Sequence, residues 1–411
     1  MQKVAVDMSL VMDAPQKVVN QDYRWTLNFG PQHPATHTTL RLVLQIEGET
    51  VVGAIPDIGY LHSGFEKIGE HLNYNQYVAV TDRMNYISPL ANNVAWHQAV
   101  ESLIGLQLPQ RCQYIRVILA ELARVSDHLL SCGAMALDTG AFTAFLYAFN
   151  QREVLYGIFE TLCGARFTTS YSRVGGLMYD ATPEFIRQVK QFVRDFPKVY
   201  VEITRLLNRN RIFVERTKGI GILTKEQAIN RSVTGPIARA SGVTRDLRKD
   251  QPYLAYSDFD FKVICSNGGD CFHRYLVRML EIEESMKIVE QAINNLPAGP
   301  VNVDPEERAI LPSKDKVYDT IEGLITHFEV VMTNRGLQAP KAEHYDAIEA
   351  PNGELGFYIV GDGSDKAYRA RCRPPSYIHF ALFPDLMKGH TLSDVVAVLG
   401  SLNIIAAELD R

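Results

Sequence analysis

The sequence has few cysteines, and no two of them form a C-x-x-C pair. The six are scattered along the 411 residues, at Cys112, Cys132, Cys163, Cys265, Cys271 and Cys372. The chain does not open with a basic start followed by an apolar stretch, which is the pattern of a secretory signal peptide. We therefore expect reduced, buried thiols in a cytosolic protein rather than a disulfide framework.

Long apolar runs and an excess of one charge are also missing. The longest uncharged apolar segment, residues 395–407, is too short to cross a bilayer, so we expect a soluble chain that meets a membrane only through partners. Lysine and arginine number 42 against 47 acidic residues, a net charge of −5, which argues against nucleic acid as the main partner. No G-x-G-x-x-G motif follows a strand and no Walker motif occurs, so a dinucleotide is expected to bind elsewhere.

The most distinctive stretch is GPQHPATHTTLR at residues 30–41, which combines two histidines with two prolines. The spacing His33-x-x-x-His37 would suit a metal pair on a helix, but Pro31 and Pro34 disfavour a helix there. The alternative is a rigid turn whose imidazoles are hydrogen-bonded. Leucine and isoleucine then alternate with other residues over 39–47, the pattern of a half-buried strand. His37 is therefore expected in a stiff loop that can aim it at a cavity.

The remaining patterning predicts an α+β protein, a large central helical bundle with small β sections at both ends. Strands are expected at 23–29, 39–47 and 50–55, and again at 353–360 and 368–373. Helices are expected from 93 onward, from Pro109, at 138–160, from Thr182 with Pro197 kinking or dividing that helix, from Thr224, at 271–295, and at 393–408 with Ser393 as its cap. The aromatic stripe at helical spacing over 138–160 is expected in the core.

The predicted organisation is a tail over 1–20, an N-terminal β section over 21–60, a central helical domain over 61–300, and a C-terminal α+β section over 301–411 packed on that domain. No internal repeat or low-complexity tract interrupts it.

Several motifs resemble one known family in the same order along nearly the whole chain. They are the stretch at 30–41, GYLHSGFEK at 59–67, DRMNYIS at 82–88, SGVTRDLRK at 241–249, PY at 252–253 and ELDR at 408–411. The family is the hydrogenase-like large subunit of respiratory complex I, the NADH:quinone oxidoreductase, known in the bacterial enzyme as the D subunit. The resemblance implies the fold of the nickel–iron hydrogenase large subunit.

Reducing a quinone needs two electrons and two protons, delivered to oxygens at opposite ends of the ring. Tyrosine, with a pKa of about 10, and histidine, near about 6.5, can both donate at neutral pH. The resemblance implies that His37 and Tyr86 bind and protonate the quinone and that Asp138 orients His37. From residue types alone, a packed ring for Tyr86 and a turn or helix cap for Asp138 are the ordinary interpretations.

The resemblance also places Arg83 near a 4Fe-4S cluster of a partner protein, where a surface salt bridge is the alternative. His62 and Glu66 either line the cavity or cap their loop. The charged residues Arg245, Asp246, Arg248 and Lys249 form either an interface salt-bridge network or a solvated loop. Family members often carry arginine at Ser63 and histidine at Thr168, and these departures leave open how proton binding couples to cluster reduction and which quinone is used.

The implied assembly is a proton-pumping enzyme at the cytoplasmic face of a bacterial inner membrane. Its other components would include the cluster-bearing B subunit, the C subunit and the membrane-embedded H subunit, with quinone as substrate and no metal held by this chain.

Three alternatives remain. A nickel–iron hydrogenase needs four thiolates, but residues 58–67 and 384–390 contain no cysteine and Cys372 stands alone. A scaffold without chemistry and a quinone enzyme with another electron donor are the other two.

Overall fold

The computed structural model of the chain describes residues 24–36, 39–304, 309–332 and 335–411. The predicted tail 1–20, Tyr23 and His37 lie outside the described residues, and so the expected placement of His37 in a stiff loop stays a prediction. The domain boundaries at 60 and 300 also stay predictions.

The described strands form small antiparallel sheets, one near each end of the chain and a short hairpin between them. Their bounds are β1 Arg24–Phe29, β2 Arg41–Glu47, β3 Thr50–Asp57, β4 Ser172–Arg173, β5 Gly176–Leu177, β6 Glu343–Ala350, β7 Gly353–Gly361 and β8 Ala367–Arg373. The central strand β2 pairs Leu44 with Leu27 on one side and Ala54 on the other. Its even-numbered apolar side chains are buried, which confirms the predicted alternation.

The helices make up most of the described chain. Their bounds are α1 Phe65–Ile68, α2 Val78–Thr81, α3 Pro89–Ile104, α4 Gln110–Asp138, α5 Phe142–Cys163, α6 Pro183–Asn208, α7 Arg211–Glu215, α8 Lys225–Asn230, α9 Gly235–Ala240, α10 Leu247–Asp250, α11 Cys271–Asn294, α12 Lys314–Asp319, α13 Ile321–Val331, α14 Pro375–Phe380, α15 Phe383–Met387, α16 Asp394–Leu402 and α17 Ala406–Asp410. Single 3-10 turns occur at Pro34–Thr36 and Tyr256–Asp258.

Helix α4 is the centre of the bundle. It is buried on nearly every side and packs against α11, α5, α3 and α16. The C-terminal sheet lies against α3, where the Trp96 ring meets Phe357 edge-on at 5.3 Å. The α+β class is therefore confirmed, because one helical core carries small sheets at its two chain ends.

Helix starts are predicted better than helix ends. The Thr182 hydroxyl accepts a hydrogen bond from Phe185 N at 3.1 Å, and Thr224 with Gln227 forms the expected capping box. Pro197 does not divide α6, which continues to Asn208.

Two helix predictions near the site are wrong. Asp138 is the last residue of α4 rather than the first of the next helix, and α5 begins only at Phe142. The predicted terminal helix is two helices, because Asn403 adopts a left-handed φ of 51° that ends α16. Ser393 makes no capping side-chain bond; the Asp394 carboxylate instead accepts from Thr391 N at 3.0 Å.

The aromatic side of α5 is not core, contrary to the prediction. Phe142 and Tyr147 are exposed, and of the six aromatic residues only Phe159 is fully buried. The reason is that α5 packs on α4 through small residues. A Cβ added at Gly133 would lie 3.2 Å from the Ala148 Cβ, so the helices approach closely there and the bulky rings face outward.

The cysteines are all free in the structure, and most are buried as predicted. Cys163 is half-buried and Cys265 is exposed, so the expectation of buried thiols is wrong for Cys265.

Candidate functional site

Tyr86 lies in the loop between α2 and α3, and buried hydrogen bonds hold this loop from both sides. The Asp82 carboxylate accepts from Ser170 N at 2.8 Å and from the Ser170 hydroxyl. The Asn85 carboxamide donates to Asp127 Oδ2 of α4 at 3.3 Å and accepts from Ile87 N at 3.2 Å. The residues on either side of Tyr86 therefore fix the backbone while its own side chain stays available.

The Tyr86 side chain is half-buried, with its ring centroid 6.1 Å from that of Phe167. Within the described part of the chain its hydroxyl makes no hydrogen bond. Burial raises the pKa of Tyr86 above its ordinary value, so the phenol stays neutral at physiological pH. Among the described residues the group is a proton donor without an acceptor, which is what binding a carbonyl oxygen requires.

Asp138 and the turn before His37 meet at the same helix. The turn Pro34–Thr36 packs against α16, and Thr36 within it is fully buried. A Cβ added at Gly400 of α16 would lie 3.5 Å from Asp138 Oδ2, an ordinary contact distance, so the carboxylate at the end of α4 lies against α16. His37 itself lies outside the described residues, so its expected position beside Asp138 stays a prediction.

A buried polar path joins this helix to the Tyr86 loop. Asn403, which ends α16, donates to Asp127 Oδ1 at 2.7 Å, while Asn85 donates to the other oxygen of the same carboxylate. Thus α16 and its C-terminus contact Asp138 and the turn before His37 directly, and the Tyr86 loop through Asp127. Sequence reasoning did not single out Asp127 or Asn403, since a mid-helix aspartate and an asparagine after an apolar run carry no local signal of burial.

The other residues expected near the site are placed as follows. Arg83 is exposed beside the buried Asp82, and it forms no ion pair within the described ranges. Ser63 is exposed, and Thr168 is half-buried two residues before Ser170. These positions neither test nor contradict a nearby cluster in a partner.

His62 and Glu66 hold the chain's C-terminus in place. His62 Nδ1 lies 2.9 Å from the Asp410 carbonyl oxygen, and the Asp410 carboxylate accepts from Leu61 N at 2.7 Å. Glu66 accepts from Cys372 N at 3.1 Å and pairs with Arg369 at 2.9 Å. These contacts are structural and join the loop to the C-terminal section, and the two predicted roles stay predictions.

The charged stretch 245–249 divides between core and surface. Asp246 and Arg248 are buried and paired at 2.7 Å, and Arg248 also contacts Glu121 of α4 at 3.2 Å. Arg245 and Lys249 are exposed. Both predicted roles are therefore wrong for Asp246 and Arg248, which belong to an ion network inside the chain.

The same ion network extends to α9, α11 and the C-terminal sheet. Arg239 joins Glu281 of α11 and Glu349 of β6, both at 2.7 Å, and His128 Nε2 lies 3.0 Å from Glu281. The network ties α4, α9, α11 and the C-terminal sheet together.

Two further features are absent from the described residues, a membrane-spanning helix and a cluster of metal-ligating side chains. None of the helices has the length and hydropathy that crossing a bilayer requires. No three or more His, Cys, Asp or Glu side chains gather closely enough to hold a metal ion within these ranges.

Comparison with known proteins shows the family to which the chain belongs. A family profile described as "Respiratory-chain NADH dehydrogenase, 49 Kd subunit" matches residues 138–411. The chain belongs to this family, and it is accordingly one component of a multisubunit NADH:quinone oxidoreductase whose other components are its partners.

The individual relatives are similar over nearly their whole length, and each is the D subunit of an NADH-quinone oxidoreductase. The chain is 49% identical to that of Methylacidiphilum infernorum, covering 94% of this chain and 92% of that protein. It is 46% identical to that of Geotalea uraniireducens, over 94% and 98% of the two chains. It is 44% identical to that of Geobacter sulfurreducens, again over 94% and 98%. The family resemblance carried by the six motifs is thereby confirmed.

Proposed function

We propose that this chain forms the quinone-headgroup site of the complex, next to a 4Fe-4S cluster in the partner B subunit. His37 and Tyr86 hydrogen-bond the two carbonyl oxygens of the quinone, and Asp138 orients His37. The observation that carries the proposal is the Tyr86 hydroxyl, a half-buried neutral donor without a partner in the described ranges, on a loop held rigid by Asp82 and Asn85.

The chemistry balances with these groups. The partner's cluster would supply the two electrons, one at a time. Tyr86 gives one proton and becomes a phenolate, and the imidazolium of His37 gives the other and becomes neutral. An ionised Asp138 beside the imidazolium of His37 would favour that charged form by Coulomb attraction. Arg83, exposed beside the site, stabilises the reduced cluster by Coulomb attraction.

The wider assembly is also part of the proposal. The chain has the fold of the nickel–iron hydrogenase large subunit, and the complex translocates protons at the cytoplasmic face of a bacterial inner membrane. The chain contacts the B, C and H subunits of that complex. Two exposed apolar faces support docking to several partners. One is the outer side of α5 with Phe142 and Tyr147, and the other is α13 with Ile321 and Phe328.

The decisive test is Tyr86→Phe in the assembled complex. Removing a proton donor in contact with the substrate is expected to lower NADH:quinone turnover by about 100-fold or more. NADH oxidation by an artificial acceptor that does not use the quinone site should stay unchanged and report correct assembly.

Tyr318→Phe is the matched control, since the Tyr318 side chain is 84% exposed. It should leave both rates unaltered. Unchanged quinone turnover in Tyr86→Phe would remove Tyr86 from the mechanism and favour a scaffold role for the chain.

A further inference from the structure

The Glu408 carboxyl on α17 is fully buried, and its interactions are unusual for a buried acid. One oxygen, Oε2, accepts a hydrogen bond from the Ser376 hydroxyl of α14. The other oxygen, Oε1, has no partner in the described part of the chain. No arginine, lysine or histidine within those ranges forms an ion pair with it.

The groups that act most strongly on its charge are neutral or acidic. Arg411 and Arg373, which also act on Cys372, pair with Glu66 and Glu354 instead. Asp127 approaches from α4, Cys372 from β8 and Asn352 from the turn between β6 and β7. Asn352 Oδ1 accepts from Asn403 Nδ2 at 2.5 Å, and the same nitrogen donates to Asp127 at 2.7 Å. The Asn352 Nδ2 group is buried without a partner in the described ranges, like Glu408 Oε1.

Such surroundings favour the protonated acid. An ionised carboxylate buried without a cation is costly, whereas a neutral carboxylic acid can be buried with few hydrogen bonds. Burial, reinforced by Asp127, raises the pKa of Glu408 to about 7, although the Ser376 and Asn352 groups act in the opposite direction. The group therefore changes charge within the physiological pH range.

This titrating group acts electrostatically on a hydrogen-bond network that reaches the Tyr86 loop. Asp127, which faces Glu408, accepts one hydrogen bond from Asn403 and one from Asn85, the residue before Tyr86. The buried acid therefore acts on the Asp127 carboxylate through charge, and that carboxylate is hydrogen-bonded to the loop.

We propose that Glu408 is a proton-holding residue of this chain. It is a positioning residue whose protonation state sets the total negative charge that Glu408 and Asp127 exert on the Tyr86 loop. The role toward Tyr86 rests on the proposed function. When Glu408 is ionised, the added negative charge opposes formation of the Tyr86 phenolate and slows proton donation. When Glu408 has bound a proton from solvent, that opposition is absent. Quinone turnover should then fall as pH rises through neutrality.

The first test follows NADH:quinone turnover of the assembled complex from pH 6 to 8.5. In the native complex, kcat is expected to fall by about threefold over this range, the effect of one charge acting across the network at an intermediate dielectric. In Glu408→Gln, which keeps an acceptor for Ser376 but cannot ionise, kcat should stay near its low-pH value, while KM is unchanged. A pH profile identical to the native one would overturn the proposal.

The second test does not depend on the quinone. Infrared difference spectra of the full chain after a pH step report the C=O stretch of a protonated carboxylic acid, which Glu408 should lose near pH 7 and which Glu408→Gln should lack. Asp127→Asn should move this titration to lower pH, since it removes a neighbouring negative charge. Glu290→Gln, at an exposed position on α11, is the matched control and should change nothing.

These outcomes separate the two claims. If no acid titrates near neutrality, Glu408 holds no proton and the inference is wrong, whatever Tyr86 does. If Tyr86→Phe keeps full turnover while the infrared band behaves as expected, the proposed quinone site fails and proton holding by Glu408 stands.

Discussion

Glu121 and Glu408 are both fully buried carboxyl groups of one chain, yet their pKa values lie on opposite sides of the ordinary value. Burial alone would raise the pKa of Glu121, but Arg124 and Arg248 outweigh it and hold that pKa at about 2. At Glu408 no guanidinium forms an ion pair within the described residues, and burial prevails. The comparison shows that the kind of partner, rather than the degree of burial, decides whether a buried acid carries charge.

The arginine network also shows the limit of this compensation. It holds four carboxyl groups, Glu121, Asp246, Glu281 and Glu349, and three guanidinium groups, Arg124, Arg239 and Arg248. Burial lowers the pKa of His128, so the imidazole adds no full positive charge. One carboxyl is therefore in excess, and burial raises the pKa of Glu349 despite its contact with Arg239.

Removing a guanidinium from the arginine network should leave buried carboxyl groups there without a cation, as at Glu408. Arg239→Met leaves Glu281 and Glu349 without their nearest cation, and we expect a loss of about 3–5 kcal/mol in the free energy of unfolding. Urea denaturation followed by circular dichroism measures it. Arg211→Met, at an exposed pair with Glu215, is the control and should be indistinguishable from the native chain. Equal midpoints for the two variants would contradict the comparison.

Glu408 and the arginine network should make the free energy of unfolding depend on pH in opposite directions. Because the pKa of Glu408 is raised in the folded chain, the folded state binds more protons than the unfolded state between about pH 4.5 and 7. Stability should therefore fall as pH rises through this window, by on the order of 3 kcal/mol in total. Glu408→Gln should lack that decline in urea titrations at successive pH values.

Glu121 and Glu281 give the reverse behaviour. Their lowered pKa values, about 2 each, stabilise the folded chain above about pH 4.5, and this contribution is lost as pH falls toward 2. A native chain whose stability does not change between pH 5 and 7, and matches Glu408→Gln throughout, would show that Glu408 is ionised in the folded state.

A smaller difference in stability is expected when the serine that donates a hydrogen bond to each of these acids is removed. The Ser285 hydroxyl donates to the ionised Glu121 at 2.6 Å, and Ser285→Ala should cost about 2 kcal/mol at any pH from 5 to 8. The Ser376 hydroxyl donates to Glu408, and Ser376→Ala should cost about 1 kcal/mol at pH 6 and more at pH 8, where the acid is ionised. A cost for Ser376→Ala that is independent of pH would contradict the assignment of charge.

Local patterns were enough to predict part of the fold. The alternation in β2 and the caps at Thr182 and Thr224 depend on neighbours a few residues away, and all three are present. The outer aromatic face of α5 was predicted wrongly, since helical spacing shows that residues share a side but not which side another helix covers. Close packing of Gly133 on Ala148 made that choice.

For the candidate site, too, one part could be predicted from the sequence and another part could not. The ordered motifs were sufficient to select Tyr86 and Asp138 and to indicate the family, and the structure adds the reason that the Tyr86 loop is rigid. Nothing near Asp127 in the chain announces that it accepts from both Asn85 and Asn403, which are 42 residues before it and 276 after it.

The amino-acid sequence by itself determined the α+β class, the family and the residue types that can give protons to a quinone, because these depend on local patterning and on motifs read in order. Only the tertiary structure decided which buried acids meet arginine and which meet amides and hydroxyls. That choice sets their charge, because a pKa in the interior depends on groups within a few ångströms that are brought together from distant parts of the chain.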